Sequence, residues 1–167
     1  MRDILFRGKR VSPDHQTDLF SVGQWLFGSL LVYGDRRVIA PQEDIIDNEH
    51  RSRLYWSLID RLYEVDPETV GQYTGLKDKN GVMIFEGDIT SIPFEEDRMP
   101  WEPNCTYYEN AEVYFSEERH AWYVRFRNGT EDDFWLWEYD DSELQVIGNI
   151  HDNPELVSGA YRLEALQ

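Results

Sequence analysis

The chain has 167 residues, of which 41% are hydrophobic, 14% aromatic and 29% charged, and its formal net charge is −17. This share of apolar residues is enough for a packed core, so the composition excludes a wholly disordered protein. No apolar run reaches the roughly 20 residues that span a bilayer, and the charges between Arg2 and Arg10 exclude an N-terminal signal peptide or anchor.

Residues 1–70 predict a β-rich N-terminal region. A short strand is predicted over residues 4–8, and the polar residues 12–18 predict a loop. Apolar residues 24–33 and 37–40 predict two strands with a turn at Gly34-Asp35 between them. The region therefore contains a β-hairpin that closes near Gly34.

One helix is predicted in the same region. Apolar residues between Leu54 and Tyr63 recur at the spacing of one helical face, which predicts a helix over residues 49–63. Pro67 is expected to end any regular element nearby.

Residues 71–90 form a glycine-rich turn region that connects the two halves of the chain. Asn80-Gly81 predicts a tight turn, because both residue types tolerate positive φ. A strand over residues 82–85 and a further turn at Gly87-Asp88 are predicted to follow. Residues 93–104 are acidic and contain prolines, which predicts an exposed loop.

Residues 83–154 predict an acidic, barrel-like β-domain. Strands over residues 112–115 and 122–126 are expected to pair, and Asn128-Gly129 predicts a further hairpin. Strands over residues 134–137 and 144–147 follow, and residues 155–167 predict a tail or a short helix. The fold class is therefore α+β and mainly β, with an N-terminal hairpin region, a small SH3-like barrel of antiparallel strands and one or two short helices.

The charge is divided unevenly between the two halves. Residues 1–82 hold 11 Lys and Arg against 13 Asp and Glu, a net charge of −2, whereas residues 83–167 hold 5 against 20, a net charge of −15. Because the C-terminal half repels phosphate backbones, we expect no direct nucleic-acid binding through it. Its acidity can instead attract a basic partner or imitate a polyanion.

Three segments together resemble the YopX-type family of phage and prophage proteins. The segments are residues 70–89, which contain Gly71-Gln72-Tyr73-Thr74-Gly75-Leu76-Lys77-Asp78, residues 6–10 with 25–30, and residues 146–156. The resemblance implies a small protein of phages, prophages or mobile elements that self-associates. It implies no activity, cofactor or catalytic residue.

The sequence offers no ordered motif for catalysis or for a cofactor. The four histidines stand far apart, and no cysteine pair exists, so no metal site is expected. Cys105 is the only cysteine, which excludes an intrachain disulfide. Its neighbours Glu102 and Glu109 disfavour a reactive thiolate, so we interpret Cys105 as an incidental thiol in a loop. The absence of disulfides and of an export signal predicts a protein of the bacterial cytoplasm.

Two groups of residues remain as a candidate interaction surface. The glycine-rich region lacks the order of a phosphate-binding loop, so we interpret its glycines as turn formers and its aspartates as acceptors for local amides. Acidic residues flank Phe134–Trp137, and strand alternation would place Trp135 and Trp137 on one outward face, where a subunit could cover them. The candidate residues are Tyr73, Asp78, Glu86, Asp88, Trp135 and Trp137.

The sequence favours a non-enzymatic, self-associating protein-interaction module over two alternatives. The first alternative is an acidic mimic of DNA that binds and inhibits a basic host protein, based on the charge of the C-terminal half. The second is an enzyme that uses the carboxylates between Glu131 and Glu143, alone or with a divalent cation, and no ordered motif supports it.

Overall fold

The computed structural model describes residues 4–11, 20–41, 62–96, 105–126, 133–139, 143–158 and 163–164. Within these ranges the chain is mainly β-strand, and neighbouring strands pair in antiparallel fashion. It divides into two compact units, residues 1–73 and residues 74–167. None of the helices in the described ranges has both the length and the hydropathy needed to cross a bilayer.

The first unit is built on one sheet with the strand order β4-β3-β2-β1-β5. Its strands are β1 (Phe6–Lys9), β2 (Trp25–Tyr33), β3 (Arg36–Pro41), β4 (Tyr63–Val65) and the first three residues of β5 (Gly71–Lys77), whose remaining residues belong to the second unit. Strand β1 lies in the middle, since Phe6 pairs with Gly28 of β2 and with Gln72 of β5. The core of this sheet is formed by Leu26, Ile39, Tyr63 and Val65.

The predicted hairpin of the first unit is confirmed. Tyr33 of β2 pairs with Arg36 of β3, so Gly34 and Asp35 form a two-residue turn. Gly34 has a φ of 58°, which a side chain would make unfavourable. Residues 49–61 of the predicted helix lie outside the described residues. At Tyr63 the helix prediction is wrong, because β4 begins there and pairs with β3.

The second unit contains a five-stranded antiparallel sheet with the order β10-β9-β8-β7-β11. After β6 (Met83–Phe85), its strands are β7 (Asp88–Glu96), β8 (Cys105–Ser116), β9 (Ala121–Phe126), β10 (Asp133–Trp135), β11 (Gln145–Asn149) and β12 (Leu163–Glu164). Its fully buried core is formed by Ile84, Ile92, Ala111, Val113, Val124, Leu136 and Leu144, with Phe126 almost as buried.

The expected SH3-like barrel is not formed by the described residues. The sheet stays open, because β10 at one end and β11 at the other pair with different neighbours, β9 and β7. The predicted pairing of the strands near residues 113 and 124 is confirmed, with Val113 opposite Val124. The predicted hairpin at Asn128-Gly129 lies outside the described residues.

Two predicted irregular segments contain strand. The loop expected over residues 93–104 is wrong as far as Glu96, because β7 continues past Pro93, which pairs with Tyr108. Proline is tolerated there because β11 pairs with β7 only up to Ser91, so this part of β7 is an edge on that side. Cys105 accordingly begins β8 and does not lie in a loop.

The C-terminal residues were expected to form a tail or one short helix. Helix α1 (Glu155–Ser158) is a single turn, and β12 follows it and pairs with Tyr107 and Tyr108 of β8. The side chain of Asn153 accepts a hydrogen bond from the Asn149 N–H at 3.4 Å. Strand pairing to β8 therefore replaces helix over part of this segment.

Candidate interaction surfaces

Asp78 is buried at the end of β5 and organises the turn that follows. Only 3% of the residue is exposed. Its Oδ1 accepts hydrogen bonds from the backbone N–H groups of Asn80 at 2.8 Å and Val82 at 2.9 Å. Its Oδ2 accepts one from the Val146 N–H at 3.0 Å.

These backbone bonds set the charge state of Asp78. Burial alone would raise the pKa of its carboxyl, but the N–H groups of Val82, Val146 and Asn80 outweigh burial and lower that pKa from its ordinary value. The carboxylate thus uses both oxygens as structural acceptors. Gly81 supplies the positive φ of 80° in this turn, whereas Asn80 keeps a negative φ.

The other candidates of the glycine-rich region are also built into the fold. Asp88 is 1% exposed, and its Oδ2 accepts a hydrogen bond from the Phe85 N–H at 2.7 Å. Glu86 is half-buried. Tyr73 is half-buried in the first unit, where its N–H donates to the Leu5 carbonyl at 2.8 Å. The interpretation of Asp78 and Asp88 as acceptors for backbone amides is confirmed.

Four aromatic rings form a continuous row on the second unit, which we call the aromatic ladder. Tyr114 of β8 and Trp135 of β10 both lie opposite Tyr123 of β9. The ring centroids are 6.0 Å apart for Tyr114 and Tyr123, 4.6 Å for Tyr123 and Trp135, and 5.9 Å for Trp135 and Trp137. The ladder passes from fully buried Tyr123 to Trp137, which is 65% exposed.

Trp137 joins the ladder by a different route from the one predicted. Strand alternation placed Trp135 and Trp137 on one face of a strand over residues 134–137, but β10 ends at Trp135. A 3₁₀ turn over Leu136–Glu138 follows, in which Leu136 is fully buried and the Tyr139 N–H donates to its carbonyl. Burial of Leu136 thus bends the chain, and the two tryptophans still meet.

Charged side chains form a second row beside the ladder. Arg125 lies opposite Glu112 on one side and Asp133 on the other. Its guanidinium carbon is 4.0 Å from the centroid of Tyr114, and its Nε is 3.6 Å from Asp133 Oδ1. The Tyr114 hydroxyl donates to Asp133 Oδ2 at 2.5 Å.

This network shifts the pKa of two members. Burial first, and then the hydrogen bond to Asp133, raise the pKa of the Tyr114 hydroxyl. Burial would lower the pKa of Arg125, but Tyr114, Asp133 and Glu112 raise it overall. Alternation along β9 places Tyr123 and Arg125 on one face, but their contacts with Tyr114 and Asp133 depend on the register between strands, which the sequence alone does not supply.

The second exposed surface is the end of the β2–β3 hairpin, residues 29–38, which we call the hairpin arm. Leu31 is 48% exposed, Val32 60% and Tyr33 81%. Among the described residues, β1 pairs with β2 only from Trp25 to Gly28, so residues 29–33 form an open sheet edge on that side. This surface is not among the candidates predicted from the sequence, although the sequence shows its apolar run beside a tight turn.

The described residues contain no group of three His, Cys, Asp or Glu side chains placed to hold a metal ion. The acidic segment singled out in the sequence is described only in part, since Glu131, Asp132, Asp140 and Asp141 fall outside the described ranges.

The negative charge is divided unevenly between the two units. Residues 1–73 hold 9 Lys and Arg against 12 Asp and Glu, a net −3, and residues 74–167 hold 7 against 21, a net −14.

Comparison with known proteins identifies the family to which this chain belongs. No curated protein matches it. It is similar to the crystal structure of protein EF1440 from Enterococcus faecalis, with 22% sequence identity, coverage of 94% of this chain and 99% of that chain, and a TM-score of 0.45. The model of the family described as YopX protein matches residues 31–158, which confirms the resemblance seen in the sequence. The chain therefore belongs to the YopX protein family.

Proposed function

We propose that this protein is a non-enzymatic protein-interaction module that self-associates through its hairpin arm. The observation that carries the proposal is the coincidence of a strand edge over residues 29–33, which no strand of the described ranges pairs on the β1 side, with three exposed apolar side chains, Leu31, Val32 and Tyr33. An exposed apolar edge strand is a template for pairing with another chain. Burial of these side chains in a contact supplies the hydrophobic driving force.

A second copy of the chain is the partner that fits this edge. Antiparallel pairing of β2 with β2 of another copy is isologous, so each copy contributes the same residues and the contact closes as a dimer. Val32 and its neighbours then meet apolar side chains across the pair, which stabilises a sheet.

Electrostatics favour the first unit for this contact over the surface expected from the sequence. Self-association was expected through the aromatic strands of the C-terminal half. Two copies meeting there would bring together units that each carry a net −14, whereas the first units each carry only −3. Like-charge repulsion therefore opposes the former contact more strongly.

Sedimentation equilibrium of the full chain over a range of micromolar concentrations tests the proposal. We expect a dimer for the wild type and a shift to monomer for Val32→Lys, because lysine on an edge strand opposes pairing. Val22→Lys is the matched control, since Val22 is 56% exposed in the same unit but lies in a turn away from the hairpin arm. A monomeric wild type, or a dimer that Val32→Lys leaves intact, contradicts the proposal.

A second candidate function is supported by the charge of the second unit. A net −14 on residues 74–167 favours capture of a basic host protein in place of its polyanionic ligand. Capture from host lysate should then weaken as salt is raised in the wash, because salt screens charge pairs. Neutralising the acids between residues 131 and 143 by Asp→Asn and Glu→Gln should also weaken it. Capture unchanged by that substitution set would remove this candidate.

A further inference from the structure

The described chain covers several of its aromatic ring faces with its own cations. In the first unit, the Arg7 guanidinium is 4.7 Å and the Lys9 ammonium 5.3 Å from the centroid of Trp25. Arg10 lies 4.9 Å from the centroid of Tyr63. Such distances are those of cation–π contacts, which occur within about 6 Å of a ring centroid.

In the aromatic ladder the two tyrosine rings are covered by arginines in the same way, whereas the two tryptophan rings have no such cation among the described residues. Arg125 lies 4.0 Å from the centroid of Tyr114, and Arg119 lies 5.1 Å from that of Tyr123. No arginine or lysine of the described ranges lies over Trp135 or Trp137. Tryptophan is the ring that binds cations best, and Trp137 is 65% exposed.

The surroundings of the two tryptophans attract positive charge. Exposed Glu138 follows Trp137 directly, and exposed Glu143 lies on the far side of Tyr139 in the sequence. Burial first, and then the charges of Glu138, Glu143 and Glu109, raise the pKa of Tyr139 to about 12. Those charges act on Tyr139, which packs against the hydrophobic core, whereas at the tryptophans themselves the adjoining carboxylate is Glu138, in a unit with a net −14.

We propose that Trp135 and Trp137 form a binding site for an arginine side chain of a basic partner protein, with Glu138 beside the guanidinium. The inference rests on the proposed role as an interaction module and adds the chemistry that its second unit recognises. Charge complementarity selects a basic partner over a second copy of this chain, whose matching unit is equally acidic. The guanidinium completes the row that Arg125 and Arg119 begin, by stacking on the next ring.

The experiment is a titration of the full chain, labelled with ¹⁵N at tryptophan, with a synthetic peptide of alternating arginine and glycine. Phe substitutions assign the indole N–H signals of Trp135 and Trp137. We expect these two signals to move on titration while that of Trp25 stays in place. A peptide with citrulline in place of arginine, which has the same shape without the charge, should move neither signal.

Substitutions separate ring recognition from general attraction to an acidic surface. Trp137→Leu should weaken the apparent Kd about two- to fivefold, the size expected for one exposed cation–π contact, and Trp137→Phe should restore part of the loss. Phe115→Leu is the matched control, because Phe115 is 38% exposed on the opposite face of the same sheet and packs 5.0 Å from Trp122. That variant should bind like the wild type.

Two results would overturn the site. One is a wild type whose Trp135 and Trp137 signals do not respond to the arginine peptide. The other is binding that Trp137→Leu leaves unchanged, which would assign it to the acids alone. Sedimentation of the same samples reports self-association separately, since the hairpin arm is in the first unit, so failure of this site and failure of the proposed self-association are read from different measurements.

Discussion

The carboxylate of Asp78 accepts a hydrogen bond from the backbone N–H of Val146, a residue 68 positions later in the chain, at 3.0 Å. The same side chain holds the N–H groups of Asn80 and Val82. One buried acid thus joins the β5–β6 turn to strand β11 within the second unit. Its replacement is therefore expected to affect more than the local turn.

We predict that Asp78→Asn lowers the free energy of unfolding by about 2–3 kcal/mol, because the amide cannot accept on both sides and leaves a buried N–H without an acceptor. Urea unfolding followed by tryptophan fluorescence measures the change. Glu117→Gln, which removes one exposed carboxylate in the same unit, is the control and should change stability little. Equal stability of Asp78→Asn and wild type would contradict the structural role of the carboxylate.

The contribution of Asp78 should also depend on pH. Its pKa is lowered from the ordinary 3.8 in the folded protein, so its charged form stabilises the fold above that value. The stabilisation is lost as the pH falls below 3.8 and through the lower folded pKa. The stability difference between wild type and Asp78→Asn should therefore shrink in acid. A difference that stays constant from neutral pH down to about pH 2.5 would be incompatible with this linkage.

Tyr139 should contribute to the opposite limb of the pH profile. Its pKa is raised to about 12 in the folded protein, so the fold keeps the hydroxyl protonated and loses stability as the pH rises past the ordinary 10.0. Tyr139→Phe, which keeps the ring packed near the core, should make the loss of stability between about pH 9 and 12 less steep. An alkaline limb that Tyr139→Phe leaves unchanged would refute the assignment.

Gly28 is predicted to tolerate no side chain. A Cβ added there would lie 1.9 Å from the Ala40 carbonyl oxygen, and backbone cannot yield as a flexible side chain can. Gly28→Ala should cost about 3 kcal/mol or more by forcing apart β2 and β3. Gly23→Ala meets no atom within 4 Å and should cost only the strain of its φ of 83°, about 1–2 kcal/mol. Thermal melts of the two variants should differ in that order, and similar melts would contradict it.

Local signals in the sequence predicted those strands whose neighbours are close along the chain. Gly34-Asp35 and the polar residues Glu117-Glu118-Arg119 separate pairs of apolar runs and so indicate hairpins. Both strand pairings are present in the structure. Tyr63 shows the limit of this reasoning. Its apolar spacing fits a helical face, but pairing with Ile39 of β3 places it in a strand, and no local signal reports that partner.

The candidate surfaces were predictable to a similar extent. Trp135 and Trp137 were predicted to share one face of a strand, and their rings do meet, although a 3₁₀ turn and not a strand brings Trp137 there. The row of Glu112, Arg125 and Asp133 depends on the register of three strands, which hydrophobic alternation alone does not fix. The open edge of β2 beyond Gly28 depends on where the antiparallel strand β1 begins, and that boundary is a tertiary property.

The central place of β1 has a consequence for synthesis on the ribosome. Phe6 and Arg7 leave the exit tunnel before their partners on β5, Gln72 and Gly71, which emerge only after the whole intervening segment has been translated. Until then one side of β1 has no β5 to pair with, and the neighbouring β2–β3 hairpin exposes Leu31, Val32 and Tyr33. Co-translational chaperones would have their greatest effect on this protein during that interval, because an unpaired edge is then most prone to aggregation.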